Sequence, residues 1–290
     1  MSDGLIRSAV FPVAGRGTRF LPVTKNVPKE VLPIVDRPCI EYVVAEAVAA
    51  GIEQVVFVTA DGKDALVDYF LPSPDLEKYL EQNGKQEMLD TIQEVIRLAD
   101  VVSVKQNIAL GLGHAVLQAK EAVGHQDFAV LLGDDIIDSS RPAIGQLIDA
   151  HEPGQAIVAL MEVPKEDTGR YGVCAGPMLS TTRMRVDAMV EKPPPEEAPS
   201  NCAIVGRYVL PADIWEMLEA TTPGSGGEIQ LTDAIAKLAG QGRVYGEIFE
   251  GERFDTGNVL GLLRASLYYA LKRPDLEPSV RAILKEMTHR

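Results

Sequence analysis

A glycine-rich segment with four basic side chains follows the first apolar run of the chain. Its glycines, Gly15 and Gly17, let the backbone approach a ligand closely enough for amide groups to face anionic oxygens. Basic side chains add charge-assisted hydrogen bonds to such oxygens, and this segment carries Arg16, Arg19, Lys25 and Lys29. The residue types therefore predict binding of a polyphosphate, although a turn with a solvated basic rim explains the glycines alone equally well.

Two standard nucleotide-binding motifs do not match this segment. The dinucleotide fingerprint requires a third glycine at the position of Phe20. The P-loop requires Gly-Lys-Ser or Gly-Lys-Thr where the chain has Gly17, Thr18 and Arg19. A redox protein that binds a dinucleotide is therefore the weakest functional hypothesis.

Carboxylates that could hold a metal ion occur at two distant places. Asp134 and Asp135 follow Gly133 at the end of an apolar run, and Asp255 lies far downstream in the sequence Phe-Asp-Thr-Gly. In open α/β sheets, ligands bind at the carboxyl ends of strands, and Mg²⁺ is typically held by one or two carboxylates together with substrate phosphates. Asp134 and Asp255 are candidates for such a pair; a helix cap or a turn is the alternative for each.

Other polar residues and glycines lie within or just after the later candidate strands. Glu191 and Lys192 offer a carboxylate beside a cation, which a sugar phosphate needs; a surface ion pair is the alternative. Glycines beside Tyr171 and Val205 mark close approach to a ligand or to another backbone. Gln106 combines a donor and an acceptor that could recognise the edge of a base.

These polar groups need a scaffold in which strands end at a common edge, and the apolar pattern predicts one. Short runs rich in β-branched residues alternate with helical patterns, which predicts an α/β fold with a mixed, mostly parallel central sheet flanked by helices. Candidate strands are residues 8–13, 54–59, 101–105, 128–132, 156–163, 172–175, 186–191 and 202–210. Candidate helices are residues 41–50, 63–70, 86–100, 113–123, 141–151, 211–220, 229–241, 258–272 and 279–287.

The composition is that of a globular protein with an uneven distribution of charge. The 290 residues include 28 Lys and Arg and 42 Asp and Glu, a formal net charge of −14, which argues against a nucleic-acid-binding face. Residues 1–40 nevertheless carry six basic and three acidic side chains, a net charge of +3. The excess of acidic residues therefore lies outside the glycine-rich segment.

No targeting or membrane segment is expected from the sequence. The first seven residues lack a basic start followed by an apolar stretch, and no apolar run approaches the roughly 20 residues of a membrane span. The three cysteines, Cys39, Cys174 and Cys202, are too widely spaced for a zinc site, and an odd number argues against a disulfide framework. We therefore expect a cytoplasmic protein whose cysteines are small core residues.

One long, ordered pattern resembles the signature of the sugar-nucleotide pyrophosphorylases, a nucleotidyltransferase family. It consists of Gly-x-Gly-Thr-Arg-x-x-Pro, then Pro28-Lys29-Glu30 and the run Val-Leu-Pro-Ile, and five separated motifs follow the family's order along the chain. The bacterial UTP–glucose-1-phosphate uridylyltransferases match best, because thymidylyl relatives usually carry Ser-Lys-Gln at the second motif and Gly-Asp-Asn at Gly133-Asp134-Asp135. The extra glycine and regulatory β-helical tail of adenylyl relatives are not found in the sequence.

The resemblance implies a role for each candidate residue. Arg19, Lys29 and Lys192 are implied as catalytic residues. Nucleotide-binding residues would be Ala14, Gly15, Arg16, Gly17, Thr18, Lys25, Gln106 and Gly111. Sugar-binding residues would be Asp135, Tyr171, Gly172, Glu191, Lys192 and Val205. Mg²⁺ would be held by Asp134 and Asp255.

The resemblance also implies a fold and a reaction. A single Rossmann-like nucleotidyltransferase domain would span residues 1–290, with a nucleotide-binding half at 1–170, a sugar-phosphate-binding half at 171–257 and C-terminal helices at 258–290. The reaction would form UDP-glucose and pyrophosphate from UTP and glucose 1-phosphate by direct in-line attack, for polysaccharide biosynthesis. The C-terminal helices suggest a homo-oligomer, a dimer or a tetramer. A thymidylyltransferase and a catalytically silent nucleotide-sugar-binding regulator are the alternatives.

Overall fold

The structure of the protein is a computed structural model that describes residues 6–288, except for the side chain at position 225. Its strands are β1 (Ser8–Pro12), β2 (Pro33–Ile34), β3 (Arg37–Pro38), β4 (Gln54–Thr59), β5 (Asp100–Lys105), β6 (Phe128–Leu131), β7 (Asp135–Asp138), β8 (Ala156–Glu162), β9 (Gly172–Ala175), β10 (Arg183–Arg185), β11 (Ala188–Glu191), β12 (Cys202–Leu210), β13 (Val244–Ile248) and β14 (Glu252–Asp255). Its helices are α1 (Cys39–Ala49), α2 (Asp64–Asp68), α3 (Pro74–Gln82), α4 (Gln86–Ile96), α5 (Leu112–Gln118), α6 (Lys120–Val123), α7 (Ala143–Asp149), α8 (Ile214–Glu219), α9 (Leu231–Ala239), α10 (Val259–Lys272) and α11 (Glu277–Thr288).

The central sheet has the strand order β10-β13-β8-β12-β6-β1-β4-β5, with β9 paired to β12 and β11 paired to β9. Strands β6, β1, β4 and β5 are parallel, and β13 is parallel to β8. Strand β12 runs antiparallel to both β6 and β8. This mixed sheet, flanked by helices, confirms the predicted fold class.

Alternate side chains of the central strands enter two hydrophobic cores. Val10 and Val56 belong to the core that contains α5, α8 and α9. Phe11 and Phe57, whose rings lie 5.5 Å apart, belong to the core that contains α1 and α7. Strands covered on both faces need apolar residues at every position, which explains the continuous apolar runs that predicted them.

Several elements differ from the sequence-based prediction. Helix α3 and strands β7, β10, β13 and β14 were not predicted, and β7 pairs with β14 in a two-stranded ribbon outside the main sheet. The helix predicted over residues 86–100 ends at Ile96, because β5 begins at Asp100 and pairs with β4. The helix predicted over residues 113–123 is divided at Ala119 into α5 and α6.

Three other expectations concern the cysteines, the membrane and the chain ends. Cys39, Cys174 and Cys202 are buried and free, in agreement with their prediction as core residues. Within residues 6–288, no helix has the length and apolar character needed to cross a membrane. Residues 1–5, where a targeting signal was not expected, and the last two residues of the predicted C-terminal segment lie outside the described part of the chain.

Candidate active site

The glycine-rich segment leaves β1 as a loop that turns at Gly17. Gly17 has φ +63°, the left-handed conformation that glycine adopts without steric strain, and its carbonyl oxygen accepts a hydrogen bond from Thr24 Oγ1 at 2.8 Å. The buried ring of Phe20 anchors the end of the loop. The basic side chains that this loop exposes are Arg16, Arg19 and Lys25.

The first of two clefts beside this loop has a volume of about 520 Å³. It lies between the glycine-rich loop, the β4–α2 connection and the residues after β5. Six of the predicted nucleotide-binding residues line it: Ala14, Gly15, Arg16, Thr18, Lys25 and Gln106. Gly111 lines an adjoining pocket together with Ala14 and Gln106. The first cleft therefore brings together residues from the ends of β1, β4 and β5.

The second cleft, of about 230 Å³, contains the predicted sugar-binding residues and both predicted metal ligands. The predicted residues that line it are Arg19, Asp134, Asp135, Tyr171, Gly172, Glu191, Lys192, Val205 and Asp255. They come from the loop after β1 and from β7, β9, β11, β12 and β14 or the residues beside them. Residues distant in sequence thus share one cavity.

The β7–β14 ribbon positions the carboxylates. Asp255 on β14 pairs in register with Asp135 on β7, and the next residue, Thr256, donates its backbone N–H to the carbonyl of Asp134 at 2.9 Å. A Cβ added to Gly257 would overlap Asp134 Oδ2 and would lie 3.1 Å from Asp255 Oδ1. The two carboxylates therefore converge on the small space above Gly257.

This pair of carboxylates fits a divalent cation of the magnesium type. Mg²⁺ is commonly bound by one or two carboxylates, with substrate phosphates and water as further ligands. The described residues contain no group of three or more His, Cys, Asp or Glu side chains that could hold a metal ion. Asp134 and Asp255 are the carboxylates of this cleft that could hold such a cation.

Lys29 lies against one of these carboxylates, Asp134. It opens the 3₁₀ turn Lys29–Val31, and its Nζ contacts Asp134 Oδ2 at 2.5 Å. Burial alone would lower the pKa of Lys29, but the charges of Asp134 and Glu30 outweigh it and hold this pKa above its ordinary value. Burial alone would raise the pKa of Asp134, but Lys29 outweighs it and holds that pKa below its ordinary value. Both groups are therefore charged at neutral pH.

Glu191 and Lys192 also line the second cleft. Lys192 has φ +47°, which is uncommon for a residue with a side chain, and its backbone N–H donates to the carbonyl of Tyr171 at 2.9 Å. Its Nζ lies 3.0 Å from Glu191 Oε1, while Glu191 Oε2 accepts a hydrogen bond from Thr232 Oγ1 at 2.6 Å. Glu191 is thereby fixed, and the half-exposed side chain of Lys192 brings a positive charge to the cleft that it lines.

Gln106 is held in one orientation in the wall of the first cleft. The residue is 7% exposed, and its Nε2 donates to His114 Nδ1 at 2.9 Å and to the carbonyl of Gly111 at 3.3 Å. Burial lowers the pKa of His114, so the neutral ring accepts this bond. These bonds use the amide nitrogen and leave the amide oxygen of Gln106 as the acceptor for a ligand.

Sequence analysis missed two arginines of the second cleft. Arg253 donates from Nε to Asp135 Oδ1 at 2.7 Å and from Nη2 to Asp135 Oδ2 at 2.8 Å, and its guanidinium lies 5.4 Å from the centre of the Tyr171 ring. Arg170 contacts Asp255 Oδ2 at 3.4 Å. Arg253 thus occupies both carboxylate oxygens of Asp135, whereas Arg170 contacts Asp255. Each arginine lies within two residues of a predicted motif, so a wider reading of those motifs could have found it.

The comparison with protein families gives one match over most of the chain. Residues 9–271 match the family described as nucleotidyl transferase. A curated relative, the UTP–glucose-1-phosphate uridylyltransferase of Staphylococcus epidermidis, is 46% identical over 283 residues, which cover 97% of this chain and 98% of the relative.

Solved structures of similar proteins share the fold. A UTP-bound UGPase from Acinetobacter baumannii has a TM-score of 0.90 and 43% identity, and the match covers 97% of this chain and 99% of that one. A UDP-glucose pyrophosphorylase in complex with UDP-glucose has a TM-score of 0.85 and 42% identity, covering 93% and 100%. By sequence and by fold, the chain belongs to the nucleotidyl transferase family, among the UTP–glucose-1-phosphate uridylyltransferases.

Proposed function

We propose that the protein is a uridylyltransferase that converts UTP and glucose 1-phosphate into UDP-glucose and pyrophosphate. One observation carries the proposal: a cleft lined by the glycine-rich loop lies beside a second cleft that Lys192, Asp134 and Asp255 line together. The UTP-bound and UDP-glucose-bound states of similar proteins support this reading of the two clefts.

The first cleft would hold the nucleotide. The amide oxygen of Gln106 would accept the N3–H of uracil, a donor that cytosine lacks. The glycine-rich loop, with Ala14, Gly15, Arg16, Gly17 and Thr18, would follow the triphosphate with its amide groups. Lys25 and Arg16 would add positive charge beside it, and Gly111 would lie along the base. Uracil and thymine share the N3–H, so this contact does not separate a uridylyltransferase from a thymidylyltransferase.

The second cleft would hold the sugar phosphate. Glu191 is fixed by Thr232 and offers its remaining acceptor capacity to sugar hydroxyls, while Lys192 would bind the phosphate of glucose 1-phosphate. Tyr171, Gly172 and Val205 would surround the sugar ring. Asp135, whose oxygens both accept hydrogen bonds from Arg253, would act on the sugar chiefly by holding that arginine in place.

The reaction needs no nucleophile from the protein. A phosphate oxygen of glucose 1-phosphate attacks the α-phosphorus of UTP, the bond from the α-phosphorus to its bridging oxygen breaks, and pyrophosphate leaves with the electron pair. Two anions have to be brought together, so catalysis rests on positioning and on cations that offset the charge of the reacting phosphates. Lys192 would hold the attacking phosphate, and Arg19 and Lys29 would stabilise the departing pyrophosphate.

A divalent cation completes this arrangement. Asp134 and Asp255 would hold Mg²⁺, which supplies positive charge to the reacting phosphates when bound. The carboxylates converge above Gly257, and Arg170 orients Asp255 through the contact at 3.4 Å. The two aspartates would otherwise repel the triphosphate, so the same residues make the reaction dependent on the cation.

The proposal also covers the cellular compartment, the oligomeric state and the domain organisation of the enzyme. Three buried free thiols suit a reducing compartment, and we place the enzyme in the cytoplasm, supplying UDP-glucose for polysaccharide biosynthesis. Exposed apolar side chains on α10 and α11, such as Leu260 and Ile283, support a homo-oligomer, a dimer or a tetramer. Residues 1–290 would form one domain with the two halves and the C-terminal helices described above.

A substrate panel tests the function. Purified protein is mixed with Mg²⁺, glucose 1-phosphate and either UTP, dTTP or ATP, and pyrophosphate release is measured beside a known pyrophosphorylase. We expect the fastest release with UTP. A preference for dTTP would make the enzyme a thymidylyltransferase, and UTP binding without product would make it a silent regulator; either result would reject the proposal.

A further inference from the structure

A buried ion pair lies behind the glycine-rich loop and has no role in the mechanism above. Lys63 Nζ contacts Glu30 Oε2 at 2.8 Å, and the two side chains are 9% and 2% exposed. A buried pair of this kind gives little net stability compared with apolar residues of the same volume, because both charges lose their hydration. Its place beside the first cleft, whose wall includes Lys63, points to a role in binding or catalysis.

The pair joins two loops that meet at the cleft. Glu30 belongs to the 3₁₀ turn Lys29–Val31, and Lys63 lies in the connection between β4 and α2, where its N–H donates to the carbonyl of Ala60 at 3.3 Å. Within that turn the two neighbouring side chains have different partners. Glu30 pairs with Lys63, whereas Lys29 pairs with Asp134.

The four side chains form a row of alternating charge: Lys63, Glu30, Lys29 and Asp134. Glu30 interacts electrostatically with both lysines, more strongly with Lys63, and these interactions oppose the burial that holds the pKa of Glu30 above its ordinary value. Without the charge of Lys63, the remaining cation next to Glu30 is Lys29. A carboxylate buried without its partner attracts such a cation strongly, because the local dielectric is low.

We infer that Lys63 is a positioning residue, which acts through Glu30 to keep the Lys29 ammonium directed at Asp134 and at the phosphates of the nucleotide. Lys63 forms the ion pair with Glu30, so the Glu30 carboxylate holds the turn in place. Glu30 then does not draw the Lys29 ammonium away from Asp134. The inference rests on the proposed uridylyltransferase function, in which Lys29 contacts the departing pyrophosphate.

Steady-state kinetics of three variants test the inference, measured in the direction that consumes UDP-glucose and pyrophosphate. For Lys63→Met we expect kcat/KM for pyrophosphate to fall about tenfold or more, as for loss of one charge-assisted contact, with KM for UDP-glucose within twofold of wild type. Lys63→Arg keeps the ion pair and should restore most of the activity. The double variant Lys63→Met with Glu30→Gln removes the competing carboxylate and should recover to within about threefold of wild type.

The double variant and the substrate dependence together separate positioning from a merely structural role. Loss of one partner of a buried ion pair destabilises a fold by leaving the other charge unpaired, and loss of both relieves this, so recovery of the double variant supports the inference only together with the selective effect on pyrophosphate. A double variant as inactive as Lys63→Met, or a Lys63→Met variant whose KM for UDP-glucose rises as much as its KM for pyrophosphate, would overturn the inference. Activity of Lys63→Met within twofold of wild type would also overturn it. Lys63→Gln keeps a hydrogen-bond donor without the charge. If Lys63→Met does not fold, Lys63→Gln replaces it, and the same fold-changes in kcat/KM for pyrophosphate support or overturn the inference.

A control variant and the wild-type enzyme complete the design. Arg243→Met breaks an ion pair with Asp213 (Nη1 to Oδ2, 2.7 Å) away from both clefts, and it should lower stability without changing KM for pyrophosphate. A wild-type protein without pyrophosphorylase activity would reject the proposed function itself. An active wild type with unchanged Lys63 variants would reject only the role of Lys63.

Discussion

Individual side chains in and beside the second cleft have charges that their neighbours fix. Lys29 and Asp134 keep each other ionised despite their burial, and Arg253 occupies both oxygens of Asp135. Lys192 is the more exposed member of its pair, with 52% of its side chain accessible against 14% for Glu191. Lys192 can therefore reach an incoming phosphate at little cost in lost packing.

Replacement of Lys192 should affect one substrate selectively. For Lys192→Ala we expect KM for glucose 1-phosphate to rise at least tenfold, about 1.4 kcal/mol, because a charge-assisted bond to its phosphate is lost. KM for UTP should stay within about threefold. Steady-state kinetics with each substrate varied in turn measure both values. Lys165→Ala, an exposed lysine in the 3₁₀ segment Lys165–Arg170, is the control, and an equal rise in both KM values would contradict the assignment.

Replacement of either converging aspartate should change the response to the metal. For Asp134→Asn and Asp255→Asn we expect turnover to fall at least tenfold and the Mg²⁺ concentration for half-maximal rate to rise, because one anionic ligand is lost. Rates measured over a Mg²⁺ titration test this. The control is Asp149→Asn, which removes a surface ion pair with Arg141. Activity within twofold of wild type for Asp134→Asn would remove that residue from the metal site.

The elements around the site are tied together by polar contacts as well as by packing. Helix α10 begins at its N-cap Asn258, whose side chain accepts the N–H of Gly261, directly after the ribbon that carries Asp255. Near the other end of the helix, Lys272 and Tyr268 both donate to Oδ2 of Asp138, the last residue of β7, each at 2.6 Å. The helix thereby braces the β7–β14 ribbon from outside the sheet.

The contact between Lys272 and Asp138 predicts a pH-dependent contribution to stability. Burial acts to raise the pKa of Asp138, but Lys272 and Tyr268 outweigh it and hold that pKa below its ordinary value. The contribution is therefore complete above about pH 4 and is lost as the pH falls through the lower pKa of the folded state. We expect Lys272→Met to lower the free energy of unfolding by about 0.5 kcal/mol at pH 7, since the lysine is half exposed, and by less at pH 3. Urea unfolding at both pH values measures this, and an equal loss at both would contradict it.

Across the whole molecule, segments from the second half of the chain complete the first half. Strand β12 lies between β6 and β8, and the segment before α9 crosses the loop that precedes α5. There Ile229 N–H donates to the carbonyl of Leu110 at 2.7 Å, and Gly113 N–H donates to the carbonyl of Ile229 at 2.8 Å. Gln230, which follows this crossing, lines the second cleft, and both clefts border the glycine-rich loop, because Thr18 lines the first and Arg19 the second.

A methyl group at this crossing should disturb the interlocking. A Cβ on Gly113 would lie 2.8 Å from the carbonyl oxygen of Ile229, so we expect Gly113→Ala to lower the free energy of unfolding by about 1 to 3 kcal/mol and to raise KM for UTP. Thermal unfolding and kinetics test both effects. Gly145→Ala in α7 is the control, because its Cβ would meet Ala50 at an ordinary 3.4 Å and alanine favours a helix. Equal stability of the two variants would contradict the expectation.

The helices and strands that the sequence predicted are those with continuous or periodic apolar patterns. Strands β4, β9 and β12 agree with their predicted limits, since buried strands require continuous apolar residues. The ribbon strands β7 and β14 are four residues each, and they pair only with one another. Both carry charged residues (Asp135 and Asp138 in β7; Glu252, Arg253 and Asp255 in β14), so they lack the apolar run by which the equally short β9 was predicted.

The chemistry of the site follows from residue types in the sequence, since glycines, cations and carboxylates define what a loop or a strand end can bind. The placement of those groups follows from the tertiary structure alone. The pairing of β14 with β7 brings Asp255 opposite Asp135. The packing of distant segments also forms the buried ion pairs of Asp135 with Arg253 and of Glu30 with Lys63. Which charges meet depends on contacts between segments distant along the chain, and the free energy of a buried charge is decided by the partner it finds there.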